Sequence, residues 1–290
     1  MLGLCPRCAA LSTMKHITLC ADDFALHPAV DAAVLELAAL GRLSATSCMT
    51  TAPGWRNAAR ALPAVRGQLD LGLHFNLTEG HGLAPDTPIT RILSQAYTAR
   101  LSAAALRDAW RRQLDAFEDA LGMPPVYVDG HQHVHQLPGV RKAMLAELEA
   151  RYGAAARQIW IRSTAPAGAL RWQAKSATIA LLGGWRLSHQ LQRQHWATNR
   201  GFAGVYGFDA PTQDAYGGLM AQWLAECQDG SLLMCHPAQT PMPDDAIGQQ
   251  RPVEWAYLRS PAFGALLAAK GCHIGKLAPG KGAQAAITDR

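Results

Sequence analysis

Residues 16–24 read HITLCADDF: a mostly apolar run, His16–Cys20, closed by two adjacent acids, Asp22 and Asp23. A short run of this kind fits a strand buried on both faces, and such strands belong to parallel sheets covered by helices. Two carboxylates side by side at the end of an apolar strand repel each other. They call for a positive partner.

Further apolar runs occur at Ala45–Met49, Leu69–Leu73, Val126–Val128, Gln158–Arg162, Leu232–Cys235 and Cys272–Gly275. Between them lie stretches with apolar residues at helical spacing, at Ala29–Leu40, Ala103–Leu121 and Pro138–Tyr152. In Ala103–Leu121 the residues Leu106, Trp110, Leu114 and Phe117 mark one side of a helix. Alternation of strand and helix along one chain predicts an α/β fold with a parallel sheet, closed into a barrel of seven or eight strands. An open doubly wound sheet is the alternative. The first strand is not followed by a glycine-rich phosphate loop, so the dinucleotide-binding reading falls away.

The residues at the strand ends are more telling than the strands themselves. Asp22 and Asp23 come after the first, His74 after the third (GLHFNLTEG, residues 72–80) and DGHQHVH (residues 129–135) after the fourth. Arg162 closes the fifth, and His236 comes directly after LLMC. In a parallel barrel all strand C-termini open on one face, so these residues converge there.

If extended, DGHQHVH points Asp129, His131, His133 and His135 to one side. Alternate strand residues advance roughly 6.6 Å, so only one or two of the histidines can serve the same ion. A divalent metal is the positive partner that the acids require. One of Asp22 and Asp23 can coordinate it while the other takes a proton from water. Asp23, His74 and His131 together form a two-histidine, one-carboxylate set that leaves room for water and substrate. His236 is placed to give a proton to a leaving group. Arg162 can hold Asp22 or a substrate oxygen. Helix capping by one of the two acids ahead of PAVDAAVLEL (residues 28–37) is the purely structural alternative.

The 290 residues carry a net charge of +5 and 49% hydrophobic side chains, enough for a large core. Arg and Lys are scattered, without the dense run of a nucleic-acid-binding tail. Seven cysteines, several inside apolar runs, fit buried free thiols in a reducing compartment, and a cytoplasmic location is expected. The isolated CPRC at Cys5–Cys8 is half of a zinc spacing and is a weak signal on its own. Residues 1–13 read as a tail and residues 14–290 as a single barrel domain.

The motifs ADDF, GLHFNLTEG, DGHQHVH and MCHP, in that order, resemble the YdjC-like (ChbG-type) carbohydrate deacetylases. This group has hopanoid-associated relatives and is distantly similar to the NodB-type polysaccharide deacetylases. The resemblance runs from about Lys15 to Leu277. It implies a TIM-barrel-like fold and hydrolysis of the N-acetyl group of an amino sugar. It also implies Asp23, His74 and His131 as metal ligands, Asp22 as base and His236 as acid. Asp129, His133, His135 and Arg162 are left as substrate contacts or supports of the ligands. One divalent ion is implied, Mg2+ or Zn2+. Imidazole ligands lean toward zinc, whereas the family is commonly assigned magnesium. Homodimers are common in this family.

Two features depart from the family pattern. Ala25 stands where the family has Gly after ADDF, a position read as needing a small residue. The stretch Leu170–Arg200 is rich in Trp, Arg and His. It is expected to pack as a cationic amphipathic helix outside the barrel, with peripheral membrane contact through a lipid-linked substrate as the alternative. Rival functions on the same residues are a metal-dependent glycosidase or phosphodiesterase, and a non-catalytic metal- or sugar-binding barrel.

Overall fold

The computed structural model describes residues 14–81 and 86–277, so the 1–13 tail and the Cys5–Cys8 pair lie outside the described residues. Its strands are β1 (Lys15–Phe24), β2 (Ala45–Cys48), β3 (Asp70–Phe75), β4 (Tyr127–Gly130), β5 (Trp160–Ile161), β6 (Phe202–Ala203), β7 (Ser231–Cys235) and β8 (Cys272–Ile274). They form one sheet in the order β5-β4-β3-β2-β1-β7-β6, with β8 paired to the start of β1. Every pairing is parallel. Isolated parallel bridges, Ile161 to Thr198 and Pro166 to Phe202, join the two ends of the curled sheet. The expected α/β barrel of seven or eight parallel strands is therefore present, with a loosely stitched seam between β5 and β6. The two-residue strand β6 had no signal in the sequence, because its pairing is all that defines it.

The sheet is packed on both faces, as its unbroken apolar runs require. Inside the curl sit Cys20, Ala45, Tyr127, Trp160, Phe202, Leu232 and Met234, contributed by six different strands. Tyr127 stacks on Trp160 at 3.9 Å. Gly72 makes room for that stack, since a Cβ there would lie 2.2 Å from the Tyr127 ring. Outside, the helices Pro28–Ala39, Ala103–Leu121, Val140–Tyr152 and Gln213–Glu226 cover the strands. Helix Ala103–Leu121 has the bounds its periodicity predicts. The Ala105 N–H donates to the Ser102 hydroxyl at its start, and Gly122 at φ 66° ends it. Trp110, fully buried on its inner side, stacks on Phe75 at 3.7 Å.

The strand ends differ from expectation in an informative way. β1 does not stop before the acids but runs through both of them to Phe24. β3 and β4 likewise extend to include His74 and Asp129. Neither acid of the pair caps the following helix, because His27 does so, accepting from the Ala29 N–H at 3.1 Å.

Candidate active site

The β1–β2 register slips between Ala21 and Phe24, and Asp23 sits within the slip at φ 67°. A bulge of this kind re-aims a side chain that strict alternation would send to the other face. Asp tolerates the left-handed conformation better than most residues. Both acids consequently face the mouth of the barrel, each with its own partners. Ala25 also has a positive φ, 78°, and its N–H donates to Asp31 Oδ1 at 2.6 Å. The glycine usual in the family is thus explained by backbone conformation, not by size as the sequence suggested.

Asp23 Oδ1 lies 3.0 Å from His131 Nδ1 and 3.4 Å from His74 Nε2. One ligand atom from each of Asp23, His74 and His131 falls within 4.8 Å of the others. The three expected metal-site residues, 108 positions apart from Asp23 to His131, are therefore brought together. Behind them, His74 Nδ1–H donates to Asp129 Oδ1 at 2.6 Å. A carboxylate on the far nitrogen of an imidazole fixes its orientation and raises its basicity, as around bound metals. The donor set, its mutual distances and this support fit a divalent cation. Burial pulls the His74 pKa down, but Asp129 and Asp23 override it and push it up to about 10. His131 is also raised, mainly by Asp23, against the effect of burial.

Asp22 belongs to a second cluster. Its two oxygens receive Arg162 in a two-pronged pair, at 2.7 and 2.6 Å. Arg162 also lies 2.6 Å from Asp129 Oδ2 and 3.0 Å from Cys20 Sγ. The Ser47 hydroxyl donates to Asp129 Oδ2 at 2.6 Å and shares a 2.7 Å hydrogen bond with Tyr127. Cys20, Asp22 and Asp129 are close enough to suggest a second ion, but the guanidinium already occupies their centre. Arg162 is 0% exposed, which leaves it no reach to a substrate oxygen. Burial would raise the Asp22 carboxyl, yet Arg162 holds it far below the ordinary carboxylate range.

His236 stands beside this pair, with Nε2 3.8 Å from Asp22 Oδ2. β7 is the direct neighbour of β1, Cys235 facing Ala21 in register, so His236 flanks Asp22. Its backbone N–H donates to Glu254 Oε2 at 2.6 Å, and its ring meets Phe208 edge-on at 5.2 Å.

The three alternating histidines do not share a face. Residues His131–Gln136 form a tight helical turn, with Gln132 and His133 at φ 50° and 60°. His131 reaches Asp23, and Glu79 at 3.3 Å. His133 meets the Phe202 ring at 5.6 Å, and burial together with Arg162 pulls its pKa down to about 3. His135 is fully buried and its Nε2–H donates to the Arg162 carbonyl at 3.0 Å. Gly130 permits this turn, because a Cβ there would come within 2.9 Å of the His135 nitrogen.

Two contributors were missed in the sequence. Glu79 lies inside the GLHFNLTEG motif and was legible there. Arg251 was not, since it begins a helix far from any strand end. It is 2% exposed and donates to Asp23 Oδ2 at 2.7 Å, while its Nε pairs with Asp245. This leaves Asp23 Oδ1 for the two histidines. Arg251 and the histidines keep the Asp23 carboxyl ionised against the pull of burial. The cysteines of the described residues, Cys20, Cys48, Cys227, Cys235 and Cys272, are free and buried as expected. No helix among the described residues is long and apolar enough to cross a membrane.

Known proteins resemble this chain in sequence and in fold. A mouse (Mus musculus) carbohydrate deacetylase is 32% identical over 152 residues, 48% of either chain, so the match spans about half the length of that relative. A chitooligosaccharide deacetylase of Enterobacter sp. (strain 638) is 24% identical over 270 residues, covering 90% of this chain and 97% of that one. A crystal structure described as a cellobiose-phosphate cleavage protein, from Enterococcus faecalis, superposes with a TM-score of 0.67 at 18% identity. It covers 91% of this chain and 98% of its own, a likeness of fold. The YdjC-like protein family model matches residues 16–269, from the first strand to the end of the last helix, and the chain belongs to that family.

Proposed function

We propose that this protein is a metal-dependent carbohydrate deacetylase, hydrolysing the N-acetyl group of an amino sugar to acetate and a free amine. The single observation that carries the reading is the convergence of Asp23, His74 and His131 beside the Asp22–His236 pair at the barrel mouth. The full-length similarity to a chitooligosaccharide deacetylase supports the substrate class.

Asp23, His74 and His131 would hold the ion. When bound, it would act as a Lewis acid toward the acyl carbonyl. The protein's own groups supply the rest. Asp22, ionised and fixed by Arg162, accepts the proton of the attacking water. His236 delivers a proton to the departing nitrogen. Asp129 keeps His74 in one tautomer, and Arg251 fixes which oxygen of Asp23 faces the site. His133, uncharged at neutral pH, lines the cleft beside them. A groove of about 470 Å3, lined by Thr51, Asn76, Glu79 and Arg112 among others, opens next to His131 through Glu79. Its mixed polar and apolar walls suit a sugar ring and its hydroxyls.

The test is acetate release from N-acetylglucosamine, chito-oligosaccharides of increasing length and N-acetylglucosaminyl lipids, with chelated and metal-reloaded protein. Metal-dependent acetate release from one of them supports the proposal. Release of sugar or phosphate in place of acetate overturns it in favour of a glycosidase or phosphodiesterase.

A further inference from the structure

The connection from β5 to β6 contains a surface that the proposed reaction does not use. Trp172 and Leu181, at 81% and 69% exposure, are the two most exposed large apolar side chains among the described residues, and Trp185 is next on this connection at 42%. On the same connection Arg171, Lys175, Arg186 and Arg193 are exposed. No acidic residue occurs in the sequence between Glu149 and Asp209, and none of these four cations makes an ion pair among the described residues. The helix is broken between Leu182 and Gly183, whose φ of 127° turns the chain. A Cβ at Gly183 would come within 2.5 Å of the Gln136 carbonyl, so the break is seated directly on the turn that carries the site histidines. Gln136 Nε2 donates to the Ile179 carbonyl at 2.9 Å. Lys175 lies 4.8 Å over the Phe208 ring, the ring that touches His236. The patch is therefore on the rim of the barrel mouth.

We propose that this rim docks on the surface of an anionic lipid bilayer. Exposed tryptophan, an exposed aliphatic side chain and unpaired cations on one connection are what the interfacial region of a bilayer selects. Charge decides against a second copy of the chain, because a two-fold contact here would set the same cations against each other. The aliphatic Leu181 favours a bilayer over single-stranded nucleic acid, whose binding surfaces pair cations with stacking aromatics. Docking would hold the barrel mouth at the membrane surface. It is independent of the proposed reaction, and vesicle flotation reads binding alone.

The experiment is flotation of the full chain with vesicles of phosphatidylcholine, with and without about 30% phosphatidylglycerol, at low and high salt. Binding to the anionic vesicles, released by salt and accompanied by a blue shift of tryptophan fluorescence, is expected. Trp172→Ala with Leu181→Ser should weaken it at least about tenfold. Arg171→Ala with Arg186→Ala should weaken it about 25-fold, near fivefold per cation. Each variant is checked for an unchanged melting temperature. Absence of binding to anionic vesicles overturns the proposal. So does equal binding by both folded variants, conversion of a dimer to a monomer by Trp172→Ala, or binding to a single-stranded oligonucleotide in place of vesicles.

Discussion

Asp22 and Arg162, 140 residues apart in the chain, meet in a buried two-pronged ion pair at 2.7 and 2.6 Å. The pair bears on the role of base proposed for Asp22. Arg162 holds the carboxyl well below the ordinary carboxylate range, so a base at this position would stay ionised near neutral pH. A weak base fixed in place gains its effect from geometry and from the low local dielectric, not from a raised pKa.

Asp22→Asn keeps the shape and the Arg162–Asp129 pair but removes the proton acceptor. Metal content should be unchanged while acetate release falls about 10²–10⁴-fold. Because Arg162 lowers the Asp22 pKa below 3.8, wild-type turnover should show no acidic limb from this group between about pH 4.5 and 7. Near-normal turnover by a metal-loaded Asp22→Asn variant would hand the role to His236.

His131→Ala and His74→Ala should each lose bound metal on elemental analysis of folded protein, since each removes one of the three proposed ligand groups. His135→Ala should retain it, because His135 reaches only the Arg162 carbonyl. Its cost should appear as stability, about 2–4 kcal/mol from the cavity and the unpaired carbonyl. Equal metal loss in His131→Ala and His135→Ala would overturn this division.

Without metal, His74 is an imidazolium clamped between Asp129 and Asp23. Its folded pKa, about 10, lies above the ordinary 6.5. The stability it contributes is therefore complete below about pH 6.5 and is lost as pH rises toward 10. Thermal melts of chelated protein should fall across that window, and Asp129→Asn should flatten the slope. A metal ion needs the neutral ring, so loading at pH 7–8 should release protons, measurable by calorimetry in buffers of different ionisation enthalpy. Metal binding with no proton release would contradict the clamp.

Ala25→Gly should stabilise the protein by about 0.5–1 kcal/mol, roughly 2 °C in melting temperature, because Ala pays for its left-handed backbone at φ 78°. A loss of stability would show that the Ala25 methyl packs better than its backbone suffers.

Much of this protein was legible as a string. Strand–helix alternation is a local signal of period, so the barrel, the helix Ala103–Leu121 and the face on which Asp22, Asp23, His74, His131 and His236 converge could be read directly. Parallel topology does the rest, because it sends every strand end to one rim whatever the separation in sequence. Local backbone conformation was not legible. Extended geometry in DGHQHVH gave way to a tight turn in which Gln132 and His133 adopt positive φ, so three histidines found three environments. The β1 bulge at Asp23 was equally silent. Nor could spacing reveal Arg251, 228 positions from Asp23, or the seating of His236 beside Asp22. Residue types and their order along the strands determined which functional groups gather at the barrel mouth. Only the tertiary structure decided which carboxylate oxygen meets which cation, because those choices arise from the closure of the sheet and the strain of two short turns, and neither leaves a periodic mark on the sequence.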